Sequence, residues 1–244
     1  MKRLVAFDLD GTLTQHRTAL GEKNRAVLDA LGERYRLVMV GAGSCERIFS
    51  QMGGYPIDII GNYGLVETRY DSESGACVTV RSERFDCDRE SVSMRVRVLR
   101  ERHGFTDFVG ESVQFHGSGA VTFPILGTGA AIEDKLAFDP SREKRRAIFR
   151  EVCEAFPEYT VFVGGSSSFD MVPKPYDKYY ALSRYCEERG YSHGEVVFVG
   201  DDYGVGGNDE SVYLSDIDFI KVDDHERLGE AVAGLLKEKI YDCK

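Results

Sequence analysis

The sequence predicts an α/β protein whose mostly parallel sheet is interrupted by an inserted α+β unit. Three observations carry this. Short apolar runs rich in β-branched residues alternate with amphipathic helical stretches in the first third of the chain. The same alternation resumes near the end. Between them the pattern changes to helices mixed with hairpin-linked strands.

In chain order, a strand is expected at 4–7, where Leu4, Val5, Ala6 and Phe7 form an unbroken apolar run. A helix at 22–34 places Val27, Leu28 and Leu31 on one face. A strand at 37–40 stops at Gly41-Ala42-Gly43, followed by a helix at 45–52 and a strand at 57–60. Strands separated by helices favour parallel pairing through right-handed crossovers. The middle carries a helix at 91–103, strands at 112–115 and 120–125 around Gly117-Ser118-Gly119, a helix at 142–156, and strands at 160–163 and 168–172. A helix at 177–189, stopped by Gly190, returns the chain to the first pattern, with strands at 195–199 and 218–222 and a last helix at 226–237. The expected organisation is a core of 1–78 plus 175–244 with an insertion at 79–174; no repeat or low-complexity linker is evident.

Of the 244 residues, 42% are hydrophobic, enough to fill a core. The net charge of −10 repels a phosphate backbone and argues against nucleic acid, while a phosphorylated small molecule stays compatible if its pocket is locally basic. The six cysteines (Cys45, Cys77, Cys87, Cys153, Cys186 and Cys243) show no CxxC pair; they are expected to be reduced, which suits a cytoplasmic protein. No apolar stretch approaches membrane-spanning length, and Met1-Lys2-Arg3 leads into no signal-like run, so no membrane association is expected.

The chemistry concentrates in two acidic clusters. Asp8-Leu9-Asp10-Gly11-Thr12-Leu13-Thr14 follows the first apolar strand, and Gly200-Asp201-Asp202 with Gly206-Gly207-Asn208-Asp209 follows a late one. Ligand sites in parallel sheets lie at the carboxyl ends of strands. Carboxylates gathered there repel one another unless a cation joins them, and Mg²⁺ takes oxygen ligands of this kind together with substrate phosphate. Asp8 is the candidate nucleophile, attacking phosphorus to form an aspartyl-phosphate, and Asp10 the candidate acid and base. Asp8, Asp10, Asp201 and Asp209 are the candidate metal ligands. Alone, the second cluster is better explained as an Asp/Gly-rich turn; the pairing with the first favours chemistry. Ser44 opens a helix after a Gly-rich turn, where it fits both an N-cap and a phosphate contact. Lys178 opens the helix after the insertion.

These pieces, in this order, resemble the haloacid dehalogenase superfamily of phosphotransferases. The resemblance implies a Rossmann-like core, an inserted α+β cap that selects substrate, Mg²⁺, and catalysis by Asp8, Asp10, Ser44 and Lys178. Within that superfamily the chain is most similar to eukaryotic-type phosphomannomutases, through Asp10–Thr14 with Arg17, Gly61-Asn62-Tyr63-Gly64, Gly164–Asp170, Tyr176-Asp177-Lys178 and the Asp201–Asp209 cluster. It implies sugar-phosphate contacts from Thr12, Arg17, Ser44, Lys135, Ser168, Asp170 and Asn208, and suggests a homodimer interface on the cap. The sequence departs from the family where the cap supplies arginines to the distal phosphate: His116, Gly127 or Thr128, and Lys135 stand there instead. Losing a bidentate guanidinium weakens phosphate grip, and lysine does not restore its geometry. A mutase needs a strong distal site to hold a bisphosphorylated sugar in two orientations. The expectation is therefore a phosphatase of a small phosphorylated metabolite, with a sugar phosphate as the expected substrate and a phosphosugar mutase as the alternative.

Overall fold

The computed structural model describes residues 1–237; Cys243 lies outside them. In chain order the elements are β1 (Leu4–Phe7), α1 (Glu22–Gly32), β2 (Arg36–Val40), α2 (Cys45–Gln51), β3 (Asp58–Gly61), β4 (Val66–Asp71), β5 (Ala76–Ser82), α3 (Arg89–His103), β6 (Gln114–Phe115), β7 (Val121–Pro124), α4 (Ile132–Phe138), α5 (Glu143–Ala155), β8 (Tyr159–Phe162), β9 (Ser168–Pro173), α6 (Lys178–Arg189), β10 (Val196–Gly200), α7 (Glu210–Tyr213), β11 (Asp218–Lys221), α8 (Leu228–Ala231) and α9 (Ala233–Lys237). They form two compact units. One comprises Met1–Ser82, Lys178–Tyr203 and, among the described residues, 209–237; the other comprises Glu83–Asp177 and Gly204–Asn208.

The first unit is a seven-stranded sheet in the order β11-β10-β1-β2-β3-β4-β5. The pairs from β11 to β3 are parallel. The β4–β5 hairpin, absent from the sequence expectation, extends the sheet with antiparallel pairs. The central strands read as continuous apolar runs because both faces are covered. Val5 and Phe7 of β1 pack with Met39 and Val199 and with Leu28 and Leu31 of α1 on one face. Leu4 and Ala6 pack with Val38, Phe198 and Leu182 and Tyr185 of α6 on the other. Each such fully buried side chain contributes about 1.5–3 kcal/mol. The expected helix at 226–237 is broken into a 3₁₀ turn, α8 and α9. Among the described residues no cysteine forms a disulfide, and no helix is long and apolar enough to cross a membrane.

The second unit is an antiparallel sheet in the order β6-β7-β9-β8. Val92, Val96 and Leu99 recur at helical spacing along α3 and pack with Phe123, Phe169 and Met171. Asp88 caps α3 by accepting from Ser91 N, and Gly104 ends it at φ 70°. A fully buried ion pair fixes one end of the sheet. Asp139 accepts from the backbone amides of Lys144 and Arg145 and from Arg145 Nε at 2.9 Å, with both side chains about 1% exposed. Arg145 Nη1 then donates to the carbonyls of Gly164, Gly165 and Ser168. That clamps the turn leading into β9. Asp139→Asn leaves the guanidinium buried without a counter-charge, and is expected to cost about 3–5 kcal/mol in urea unfolding. A loss near the ~0–1 kcal/mol of an exposed pair would refute this account of the turn.

Candidate active site

β1 and β10 are adjacent parallel strands in register Phe7↔Val199, and Asp8 N donates to Val199 O at 2.9 Å. Both strands therefore deliver their next residues to the same sheet edge. Gly11, at φ 100°, turns the chain back; a Cβ there would lie 2.3 Å from Asp201 Oδ2, so only glycine lets the two segments approach this closely. Thr12, fully buried, donates its hydroxyl to Asp201 Oδ1 at 2.9 Å. Ligand oxygens of Asp8, Asp201 and Asp209 lie within 4.8 Å of one another.

Lys178, at the first position of α6, is 0% exposed. Its Nζ donates to Asp8 Oδ1 at 2.5 Å and Asp209 Oδ1 at 2.7 Å. Asp209 Oδ2 accepts from the amides of Asp201 and Asp202, so one buried carboxylate orders both the β10 turn and the lysine. Burial pushes Asp8 well above the usual carboxylate range, and Asp209 and Asp201 add to this against the opposing pull of Lys178. Burial, with Asp209, raises Asp201 to about 6. Burial would lower Lys178, yet Asp209 and Asp8 outweigh it and hold the ammonium above its ordinary value. One lysine cannot neutralise three carboxylates at this range. An all-oxygen set this close, with two of its acids destabilised as anions, fits a hard divalent cation.

The fourth expected ligand, Asp10, meets other partners. The Asp10 carboxylate is not in the cluster. It accepts from Gln51 Nε2 at 2.8 Å, Arg17 N at 2.7 Å and Arg47 Nη1 at 3.1 Å. Burial favours its neutral form, but these bonds prevail and hold it below the usual range. Ser44 is the N-cap of α2, its hydroxyl accepting from Arg47 N at 3.2 Å. The sequence reading passed over Arg47 and Gln51. Their signal was an i, i+4 spacing on the helix that Ser44 opens.

The remaining candidates lie in the second unit. Ser168 and Asp170 share one face of β9, with Phe169 buried on the other. Ser168 Oγ donates to Gly164 O at 3.1 Å. Asp170 Oδ1 accepts from Thr122 Oγ1 at 3.1 Å, and Thr122 Oγ1 lies 3.0 Å from His116 Nε2. Thr128 Oγ1 accepts from Glu111 N, and Lys135 Nζ donates to Thr128 O at 3.0 Å. Asn208 closes the Gly204–Asn208 segment of this unit.

The chain is similar to known proteins along most of its length. The family model for eukaryotic phosphomannomutase matches residues 83–226, more than half of the chain. The phosphomannomutase of Saccharomyces cerevisiae is 27% identical over 227 residues, covering 87% of this chain and 85% of its own. That of Drosophila melanogaster is 27% identical over 221 residues, covering 86% and 85%. Among solved structures, a haloacid dehalogenase-like hydrolase from Bacteroides thetaiotaomicron superposes with a TM-score of 0.56 at 17% identity, over 96% of this chain and 98% of that one. An IMP-nucleotidase from Plasmodium falciparum superposes with a TM-score of 0.75 at 13% identity, over 97% and 68%. With the acidic cluster at the carboxyl ends of β1 and β10, these matches lead to one conclusion: the chain belongs to the eukaryotic phosphomannomutase family, within the haloacid dehalogenase superfamily of phosphoryl-transfer enzymes.

Proposed function

We propose that this chain is a magnesium-dependent phosphosugar mutase that interconverts hexose 1- and 6-phosphates through an aspartyl-phosphate on Asp8. The convergence of Asp8, Asp201 and Asp209 around Lys178 carries the phosphoryl-transfer reading. The family match and the mutases among the relatives favour this over the phosphatase expected from the sequence.

Asp8, Asp201 and Asp209 would hold Mg²⁺, which supplies positive charge against the phosphate oxygens and the carboxylates. A carboxylate oxygen of Asp8 attacks phosphorus as the phosphorus–oxygen bond of the ester breaks. The bonding pair leaves with the sugar oxygen, and Asp10, ionised until it takes the proton of the hydroxyl attacking in the preceding transfer, passes that proton to it. In the return step an acceptor hydroxyl attacks the phosphorus, gives its proton to Asp10 and frees Asp8. Lys178, fixed between Asp8 and Asp209, holds the nucleophile in place and balances its charge. Ser44 is proposed for the transferred phosphoryl group. Thr12 acts through Asp201, to which it is bonded. Arg17, Ser168, Asp170, Asn208 and Lys135 are proposed for the sugar phosphate.

One observation favours hydrolysis as a second reading. His116 and Lys135, standing where the family has arginines, already bond to Thr122 and Thr128 within their own unit. A weak distal grip lets water compete for the aspartyl-phosphate.

Three measurements test this. Asp8→Asn is expected to lower turnover by about a thousandfold or more while the protein stays folded; near-normal turnover would remove the nucleophile assignment. A hexose 1-phosphate supplied with a catalytic amount of the 1,6-bisphosphate should yield 6-phosphate faster than free phosphate; dominant phosphate release, insensitive to the bisphosphate, would select the phosphatase. The third uses the raised acids. Asp201, near 6 when folded and near ~3.9 unfolded, makes the cation-free protein lose stability as pH rises through about 6. Added Mg²⁺ should relieve this, raising the melting temperature more at about pH 7.5 than at about pH 5; equal shifts would place the cation elsewhere.

A further inference from the structure

Arg47 and Gln51 do nothing in the mechanism above, yet both bond to Asp10. Arg47 Nη1 also donates to Gln51 Oε1 at 2.7 Å. That bond fixes the Gln51 amide with Nε2 aimed at Asp10 Oδ1 and at Thr14 Oγ1, 2.9 Å away. With Arg17 N as the second donor to Oδ1, both lone-pair positions of that oxygen are occupied. Oδ2 receives Arg47 alone among the donors to the carboxylate, which leaves one of its positions open.

The pair is poorly explained by stability. The Arg47 side chain is 37% exposed, and an ion pair so placed contributes about 0–1 kcal/mol. Its surroundings are nonetheless shaped to it. A Cβ on Gly43 would come within 2.2 Å of Arg47 Nη2, so the guanidinium lies against bare backbone. The amide of the same residue donates to Ser44 Oγ. Arg47 thus orients two side chains at once, the Ser44 hydroxyl and the Asp10 carboxylate.

We propose that Arg47 and Gln51 are positioning residues for the proton transfers of Asp10. They hold its carboxylate in one rotamer with Oδ2 as the oxygen that gives and takes the proton. This rests on the reading of Asp10 as acid and base. In the forward step the proton passes from Oδ2 to the departing sugar oxygen, which keeps the electron pair of the broken phosphorus–oxygen bond. In the return step Oδ2 receives the proton of the attacking hydroxyl.

The test is the dependence on leaving group. A sugar alkoxide must be protonated as it leaves, whereas p-nitrophenolate leaves without help. Arg47→Ala and Gln51→Met, assayed with Mg²⁺, are compared on a hexose phosphate and on p-nitrophenyl phosphate in single turnovers. Each variant should slow phosphoryl transfer from the hexose phosphate by about tenfold or more, a share of the 10²–10⁴ typical of acid–base catalysis. The aryl ester should change by less than about threefold, and the melting temperature should hold. Equal losses on both esters, a rise in KM with kcat unchanged, or no loss on the hexose phosphate would each overturn the proposal. Asp10→Asn, measured alongside, separates the two possible failures. If it treats both esters alike, the acid–base reading of Asp10 falls and the proposal with it. If it discriminates and the Arg47 and Gln51 variants do not, the proposal alone falls.

Discussion

The repulsion among three carboxylates brought together at the ends of two neighbouring parallel strands governs the rest of this molecule. Asp8 comes from a segment far in sequence from the loop that carries Asp201 and Asp209, and each carboxylate would be better solvated apart. They stay together because Lys178 is sealed between two of them and because backbone amides of the β10 turn point at Asp209. The sheet makes this possible. Once β1 and β10 pair in register, their carboxyl ends cannot avoid each other, and the first residue past each strand is acidic. The instability left over is what a divalent cation can relieve.

Asp10 obeys a different logic two residues on. It answers to donors on α2 and in its own loop, and remains the more acidic group while Asp8 and Asp201 are pushed upward. Environments that drive neighbouring acids apart are how one site assigns separate roles to chemically identical side chains. Here the division follows from which element each carboxylate faces: the sheet edge for Asp8, the first turns of α2 for Asp10.

Much of this was legible in the sequence, and the failures have physical causes. The buried parallel strands announced themselves because burial on both faces demands unbroken apolar runs, as in Leu4–Phe7. The β4–β5 hairpin did not, because Val66–Asp71 mixes Glu67, Arg69 and Asp71 with its apolar residues and β5 is largely exposed. Helix α4 was hidden by its shortness and by the glycines before it, and the last helix reads as continuous although it breaks at Val232. In the site, motif and spacing singled out Asp8, Asp10, Asp201 and Asp209, the family resemblance singled out Lys178, and the structure brings Asp8, Asp201, Asp209 and Lys178 together. The direction of Asp10 was not. Beyond the last residue of β1 the side chains no longer alternate, so a spacing of two says nothing about facing. Arg47 and Gln51 went unnoticed because neither carries a motif of its own.

The clamp formed by Arg145 has a wider meaning. Besides its ion pair with Asp139, its guanidinium reaches the turn through the main-chain carbonyls of Gly164, Gly165 and Ser168. The shape of that turn is therefore uncoupled from much of its chemistry. Evolution can exchange the residue at Ser166, or alter what Ser168 and Asp170 display, without rebuilding the scaffold beneath. A unit held this way can change the side chains it presents by single substitutions, and divergence within such a lineage should be sought in the letters of the turn while its backbone path stays constant.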